Sequence, residues 1–251
     1  MVNSNLTARR REPCIFKVIE RLKIVRSLLI LPEGASPADA SLDCGASGLV
    51  VDFRNPAGFD ATLRVLREAR ARRGRPRLFV RLAPVETAEA DLALEALLAA
   101  PPEGVLLEGA ESGAQIAHLG ARLTVFEARA GLPDGATGIV AMAAGTPAAA
   151  LKLPSFIGSS PRLEALAFAR DELIRTLRTL SNATPVQLAR AQLVLAAAAT
   201  GIPALDAPAG GQGAGRLDRL RESARQGFRG LLTEDPAEIA EIDAVFGTVS
   251  D

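Results

Sequence analysis

Tryptophan and tyrosine are absent from the 251-residue chain, histidine occurs once and cysteine twice. With only 9 phenylalanines left, the chain lacks the aromatic platforms on which single-stranded nucleic acids stack. The lone histidine, His118, excludes Cys/His zinc clusters and any multi-histidine metal site. Cys14 and Cys44 are too few for a disulfide framework. Charge of one sign is missing too: 29 Lys plus Arg stand against 29 Asp plus Glu. A protein built chiefly to grip phosphate backbones needs a basic excess. No aliphatic run reaches the roughly 18–20 residues that a membrane span requires. These absences predict a chain with neither nucleic-acid nor membrane partners, in a reducing, cytoplasmic compartment.

What is present is an ordinary globular balance, 48% hydrophobic and 23% charged, long enough to bury a substantial core. Lysine is confined to Lys17, Lys23 and Lys152 while arginine and alanine abound, a bias that reads as genomic base composition. Residues 1–24 differ from the rest. Arg9, Arg10 and Arg11 precede a mixed apolar and basic stretch without the uninterrupted apolar core of a secretory signal. They read as a basic leader, and residues 25–251 as one domain.

From Arg26 onward short apolar runs alternate with segments of helical spacing. The runs are Ser27–Leu31, Gly48–Phe53, Leu78–Leu82, Gly104–Leu107, Ile139–Ala144, Leu163–Phe168, Ile202–Leu205 and Gly230–Leu232. The helical segments are Ala61–Arg72, Glu89–Ala100, Ala114–Arg122, Val186–Thr200, Leu217–Gln226 and Pro236–Phe246. Apolar runs of this length between amphipathic helices describe parallel strands buried on both faces. Thr87 and Asp235-Pro236 carry helix-start chemistry, while Gly74, Gly201 and Gly227 stand where helices should end. Eight such strands predict a TIM-type (βα)8 barrel of the α/β class. An open doubly wound sheet is the rival, but its glycine fingerprint is missing. Gly210-Gly211-Gln212-Gly213 lacks the strand-to-turn spacing and reads as a loop.

In such a barrel chemistry sits at the carboxyl ends of the strands. Those ends carry Asp52 and Arg54, Arg81, Glu108 and Glu111, Asp171 and Glu172, Asp206, and Glu234-Asp235. Oxygen ligands of this kind suit a hard cation such as Mg²⁺, and arginine holds a carboxylate with paired hydrogen bonds. The same residues also suit solvated loop acids and surface ion pairs. The arginines from Arg70 to Arg77 complement a helix carboxyl end. His118 falls within a helix, and Cys44 reads as a small packed side chain.

At these residues the chain resembles the HpcH/HpaI aldolase and citrate lyase β-subunit family. Arg26-Ser27-Leu28-Leu29-Ile30-Leu31-Pro32 is similar to its opening strand, and Gly45-Ala46-Ser47-Gly48-Leu49-Val50-Val51-Asp52 to its second. Val80-Arg81, Ser160-Pro161-Arg162-Leu163, Gly201-Ile202-Pro203-Ala204-Leu205-Asp206 and Gly227-Phe228-Arg229-Gly230 continue the likeness in order, from about Arg26 to Phe246.

The resemblance implies a magnesium-dependent barrel that makes or breaks carbon–carbon bonds in an oxo-acid or acyl-CoA ester, assembled as a homo-oligomer. It implies that Arg81 and Asp52 belong to the catalytic mouth, with Arg81 stabilising the charge of a developing enolate. It also implies two metal-holding acids, a Glu ending strand five and an Asp just after strand six. Aligned on Ser160-Pro161-Arg162-Leu163, those positions fall on Gly145 and Glu172, the latter within Asp171-Glu172. Asp171, Glu172 and, from the neighbouring strand four, Glu108 or Glu111 are therefore the candidate metal ligands. Further family positions hold Arg54-Asn55, Ala83, Gly109, Leu231 and Asp235 in place of the usual residues. Two functions stand open: a carbon–carbon lyase with an eroded magnesium site, or a catalytically silent paralogue serving as a ligand-binding or assembly partner.

Overall fold

The computed structural model describes residues 25–32, 44–207 and 215–247. The leader, Cys14 and the 210–213 glycine loop lie outside them. Among the described residues eight parallel strands close into a barrel in sequence order: β1 (Ser27–Ile30), β2 (Gly48–Asp52), β3 (Arg77–Leu82), β4 (Gly104–Ala110), β5 (Gly138–Ala143), β6 (Leu163–Phe168), β7 (Ala204–Asp206) and β8 (Gly230–Thr233). β1 closes the ring on β8, with Leu28 opposite Leu232. The chain is thus a TIM-type (βα)8 barrel. Its outer layer includes α1 (Phe59–Ala71), α2 (Ala88–Leu97), α3 (Gly113–Ala130), α4 (Pro147–Leu151), α5 (Arg170–Leu177), α6 (Thr184–Thr200), α7 (Arg216–Arg225) and α8 (Ile239–Gly247). No described helix is long and apolar enough to cross a membrane.

Side chains alternate across a strand with a period of two, and this sorts the barrel into two cores. Leu28, Val50, Phe79, Leu106, Val140 and Leu205 are among those filling the lumen, while their neighbours pack outward under the helices. The Phe79 ring occupies the centre because Gly48 and Gly104 flank it. A Cβ built on Gly48 would lie 2.9 Å from Phe79 Cε2, and one on Gly104 2.5 Å from its Cδ1. Below that ring, Arg77 reaches across from β3 to Glu164 on β6 (Nη1–Oε2 2.9 Å) and closes the amino-terminal end.

Helix ends follow the expected chemistry. The Thr87 hydroxyl accepts from the Ala90 amide at 3.3 Å, and Gly201 caps α6 in the left-handed region at φ 75°. Three elements differ from the sequence reading. α3 continues past Arg122 to Ala130, since Leu123, Phe126 and Glu127 keep its inner face buried. Residues 170–177 form a helix where a strand-end loop was expected. β4 runs on through a register irregularity between Leu107 and Ala110, with Gly109 at φ 59°. A bulge of this kind re-aims side chains beside it, and Glu108 sits within it.

The far end of α3 carries a buried ion pair. Glu127 is fully buried, and Arg162 donates to both its oxygens at 2.7 and 2.8 Å. The Gly135 and Thr137 amides donate to the same carboxylate at 2.7 and 2.6 Å. Burial pushes the Glu127 carboxyl up, but these hydrogen bonds outweigh it and hold its pKa below the ordinary 4.5. Its stabilising contribution is therefore complete above pH 4.5 and lost as pH falls through the lower folded-state value. Glu127→Ala leaves the Arg162 guanidinium with the exposed Asp134 carboxylate (2.6 Å) and the Thr124 hydroxyl (2.9 Å) in place of a buried carboxylate. The expected loss is about 3 kcal/mol near neutral pH, read from urea unfolding, with a smaller difference from wild type in acid.

Candidate functional site at the barrel mouth

The inward series of each strand continues beyond the apolar lumen. Two residues past Val50, Phe79 and Leu106 come Asp52, Arg81 and Glu108, all partly buried at the carboxyl ends of β2, β3 and β4. Sequence reasoning placed these three among the site residues, and the structure brings them together. Arg81 donates through Nε to Glu108 Oε1 at 2.7 Å, and its Nη2 bonds the same oxygen. The other Glu108 oxygen accepts from Arg54 Nη1 at 2.7 Å. Arg54 in turn grips Asp52 through Nε at 2.9 and 3.0 Å, through Nη2, and through its own amide at 3.1 Å.

The result is a chain of alternating charge, Asp52–Arg54–Glu108–Arg81, whose two carboxylates and two guanidiniums sum to zero. Burial raises the Asp52 pKa, but the Arg54 hydrogen bonds and the charges of Arg54 and Arg81 hold it below the usual aspartate value. The hydrogen bond to Asp52 leads the causes that raise Arg54 further above the ordinary arginine value. Asp52 and Arg54 are thus charged at neutral pH. From the sequence Arg54 was a strand-end residue and a departure from the family pattern. Its role as the link between Asp52 and Glu108 depends on contacts 54 residues apart.

On the other side of the mouth, β5 ends in Ala144 and Gly145. Ala144 is buried with φ 62°, a left-handed conformation that strains a residue bearing a Cβ. Gly145 follows with no positive φ, so its backbone would accept any side chain. The space above it is filled from α5. A Cβ built on Gly145 would lie 2.7 Å from Glu172 Cδ, closer still to Oε2, and 3.3 Å from Ala169 Cβ. Glu172 makes no hydrogen bond or ion pair with any described residue. Asp171, one position earlier, is exposed and 3.5 Å from Arg170 Nε. Glu111 is exposed on the loop before α3.

Asp206 takes a different direction. It follows the lumen residue Leu205 and faces outward, where Arg190 of α6 (2.5 Å) and Ser223 of α7 bond its Oδ2. With Arg170, Arg216 and Glu238 it lines a cavity of about 230 Å³ behind β7. His118 is exposed on α3, far along the outer layer. Of the basic cluster before β3, Arg75 pairs with Glu103 at 2.7 Å and Arg70 donates to the Pro101 carbonyl at 2.7 Å.

No family model and no curated protein sequence matches the chain. Solved structures do. RipC from Yersinia pestis is 23% identical, covering 89% of this chain and 95% of that one, with a TM-score of 0.68. CitE from Mycobacterium tuberculosis, in complex with magnesium and acetate, is 22% identical over 90% of this chain and 92% of that one, at 0.70. The citrate lyase beta subunit from M. tuberculosis, complexed with oxaloacetate and magnesium, is 23% identical over 88% and 96%, at 0.66. The shared feature is the barrel fold across nearly the whole length.

A magnesium ion is held through one or two carboxylates in near-octahedral geometry, and of the two positions aligned to metal-holding acids only Glu172 offers one. Asp52 and Glu108 are held by arginines. Position 145 has no side chain, and Glu172 lies in its place. No group of three or more His, Cys, Asp or Glu among the described residues is placed to hold a metal ion.

Proposed function

We propose that this chain is a divergent relative of the HpcH/HpaI aldolases and citrate lyase β subunits. In this reading its mouth binds a small oxo-acid or its acyl-CoA ester without magnesium, and carbon–carbon bond cleavage is strongly reduced. One observation carries it: the Glu172 carboxylate fills the space over Gly145 while Asp52 and Glu108 are neutralised by Arg54 and Arg81. Cleaving or forming a carbon–carbon bond next to a carbonyl requires positive charge to stabilise the enolate that develops. Arg81 and Arg54 supply positive charge at this mouth, but each already faces a carboxylate of the chain itself. Ligand carboxylates would meet the guanidinium edges that remain, beside the Glu172 carboxylate.

The support for a small-acid ligand is by likeness: CitE and the citrate lyase beta subunit, which share the barrel, were solved with magnesium and acetate and with oxaloacetate and magnesium. A second reading, a working lyase, is favoured by the retention of Arg81 and by the carboxylate that Glu172 supplies in place of the family's Asp. Calorimetry with oxaloacetate, pyruvate and acetoacetyl-CoA in the presence of EDTA separates the two when paired with a turnover assay. The expected result is saturable binding of at least one ligand without metal, lost in Arg81→Met, and no turnover when magnesium is added. Magnesium-dependent cleavage would establish the lyase reading instead, and failure to bind all three ligands would remove both.

A further inference from the structure

The cavity of about 230 Å³ behind β7 is built around a buried arginine that the mouth does not use. Arg190 is 9% exposed. Its guanidinium lies over the Phe228 ring, 4.5 Å from the centroid. Its Nη2 donates to Asp206 Oδ2 at 2.5 Å and to Ser223 Oγ at 2.8 Å, so one nitrogen serves both partners. Nε and Nη1 make no hydrogen bond among the described residues, and neither is fully enclosed by protein. Since Arg190 lines the cavity, these donors open onto it.

The acceptors around the same space are occupied. Asp206 Oδ2 is taken by Arg190 and Ser223, and its Oδ1 accepts from the Ala207 amide at 3.0 Å. Glu238 accepts from the Thr233 hydroxyl at 2.5 Å and lies 3.7 Å from Arg216. Glu222 accepts from Gln226 at 2.7 Å and lies 3.7 Å from Arg225. Arg170 of α5 and Arg216 and Arg219 of α7 bring three further guanidiniums to the walls, Arg216 being paired with Glu241 at 2.7 Å. Where the acceptors are engaged and a buried guanidinium keeps open N–H groups, the matching ligand is one that accepts.

We infer that this cavity binds a phosphoryl group, carried by inorganic phosphate or by a small phosphomonoester. The arginines come from three helices, so donors reach the space from different sides. A carboxylate offers its oxygens in one plane, whereas a phosphoryl group presents them in several directions and takes charge-assisted bonds from each. Size restricts the rest of the ligand. At roughly 30 Å³ per water the cavity has the volume of about eight waters, below the roughly 300–1,000 Å³ of pockets for drug-sized ligands. That leaves room for a phosphoryl group and a few carbon atoms. The site is separate from the mouth: Asp52, Arg54, Arg81 and Glu108 take no part in its lining.

Phosphorus NMR titration of the full chain with sodium phosphate, at constant ionic strength, tests this. Wild type is expected to bind saturably, with a Kd of about 1 mM or tighter. Arg219→Glu, on the exposed wall, should weaken binding about ten-fold or more. Arg190→Lys keeps the charge beside Asp206 but removes the open N–H groups, and should weaken it to a similar degree. Arg221→Glu makes the same charge change on the outer side of α7 and should stay within about two-fold of wild type, as should Arg81→Met in the mouth. Glycerol 3-phosphate separates the two sources: tighter binding than phosphate assigns the ester, equal or weaker binding the free ion. Four results overturn the inference. They are no saturation, as expected if the cavity holds water only; equal losses in Arg219→Glu and Arg221→Glu, which mark diffuse charge; loss in Arg81→Met, which places the anion in the mouth; and malonate binding as tightly with the same dependence on Arg219, which makes the site one for carboxylates.

Discussion

Gly145→Glu combined with Glu172→Asp is expected to raise magnesium affinity at least ten-fold over wild type. The two changes act together. Gly145 has a backbone conformation that accepts a side chain, but the Cβ of a new residue would meet the Glu172 carboxylate, whose Cδ lies 2.7 Å away. Gly145→Glu alone therefore displaces Glu172 and places two anions against each other. Shortening Glu172 to Asp withdraws the obstructing carboxylate and leaves room for a cation between the acids. A unit charge about 4 Å from a divalent ion, at an effective dielectric constant near 20, is worth several kcal/mol before desolvation. Keeping about 1.4 to 2.8 of those as net gain corresponds to roughly ten- to hundred-fold. The single variants should fall well short of the pair, since the positions are in contact and their effects do not add. Calorimetric titration of all four proteins measures this coupling directly. Equal affinities in the four would mean that positions 145 and 172 do not frame a cation site.

Glu108→Gln is expected to strengthen dicarboxylate binding at least ten-fold, measured with oxaloacetate or malonate in EDTA. Glu108 is the anion that Arg81 and Arg54 already hold, one oxygen to each. Removing its charge leaves Asp52 alone against two guanidiniums, so the four-residue cluster moves from neutral to a net charge of +1. A carboxylate ligand then meets Arg81 with no internal competitor, together with the Arg54 Nη1 that Glu108 held, and guanidinium–carboxylate pairs bind in the favourable forked geometry. Because these side chains are partly open to solvent, the gain should shrink as salt is raised. Adding Arg81→Met to Glu108→Gln should abolish it. Unchanged affinity in Glu108→Gln would mean that ligands do not approach these arginines at all.

The barrel was legible in the chain because each strand is buried on two faces, which leaves continuous apolar runs such as Leu163–Phe168 that need no tertiary information to recognise. The bounds were less so where local polarity misleads. Arg170-Asp171-Glu172 looks like a loop, yet it opens α5, where acids in the first helical turn are favourable. In the mouth, Asp52, Arg81 and Glu108 were legible as strand-end residues, since a period of two carries them inward. Their partners were not. The grip of Arg81 on Glu108 spans 27 residues and that of Arg54 spans 54, and the bulge that aims Glu108 is signalled only by Gly109. The neighbourhood of Gly145 and Glu172 was approachable by spacing, through the family resemblance. That Glu172 lies over the glycine is a matter of side-chain geometry that spacing does not express. The scarcity of charge in Val186–Thr200 was visible in the sequence, but that its one charged residue, Arg190, turns inward onto Asp206 required the fold.

A calorimetric titration of the wild-type chain with MgCl₂, in the absence and presence of oxaloacetate, shows whether the mouth holds magnesium. The prediction is unsaturated binding through the millimolar range in both cases, with no gain in metal affinity from the oxo-acid. Saturable binding at micromolar magnesium that tightens with oxaloacetate and disappears in Glu172→Ala would contradict it.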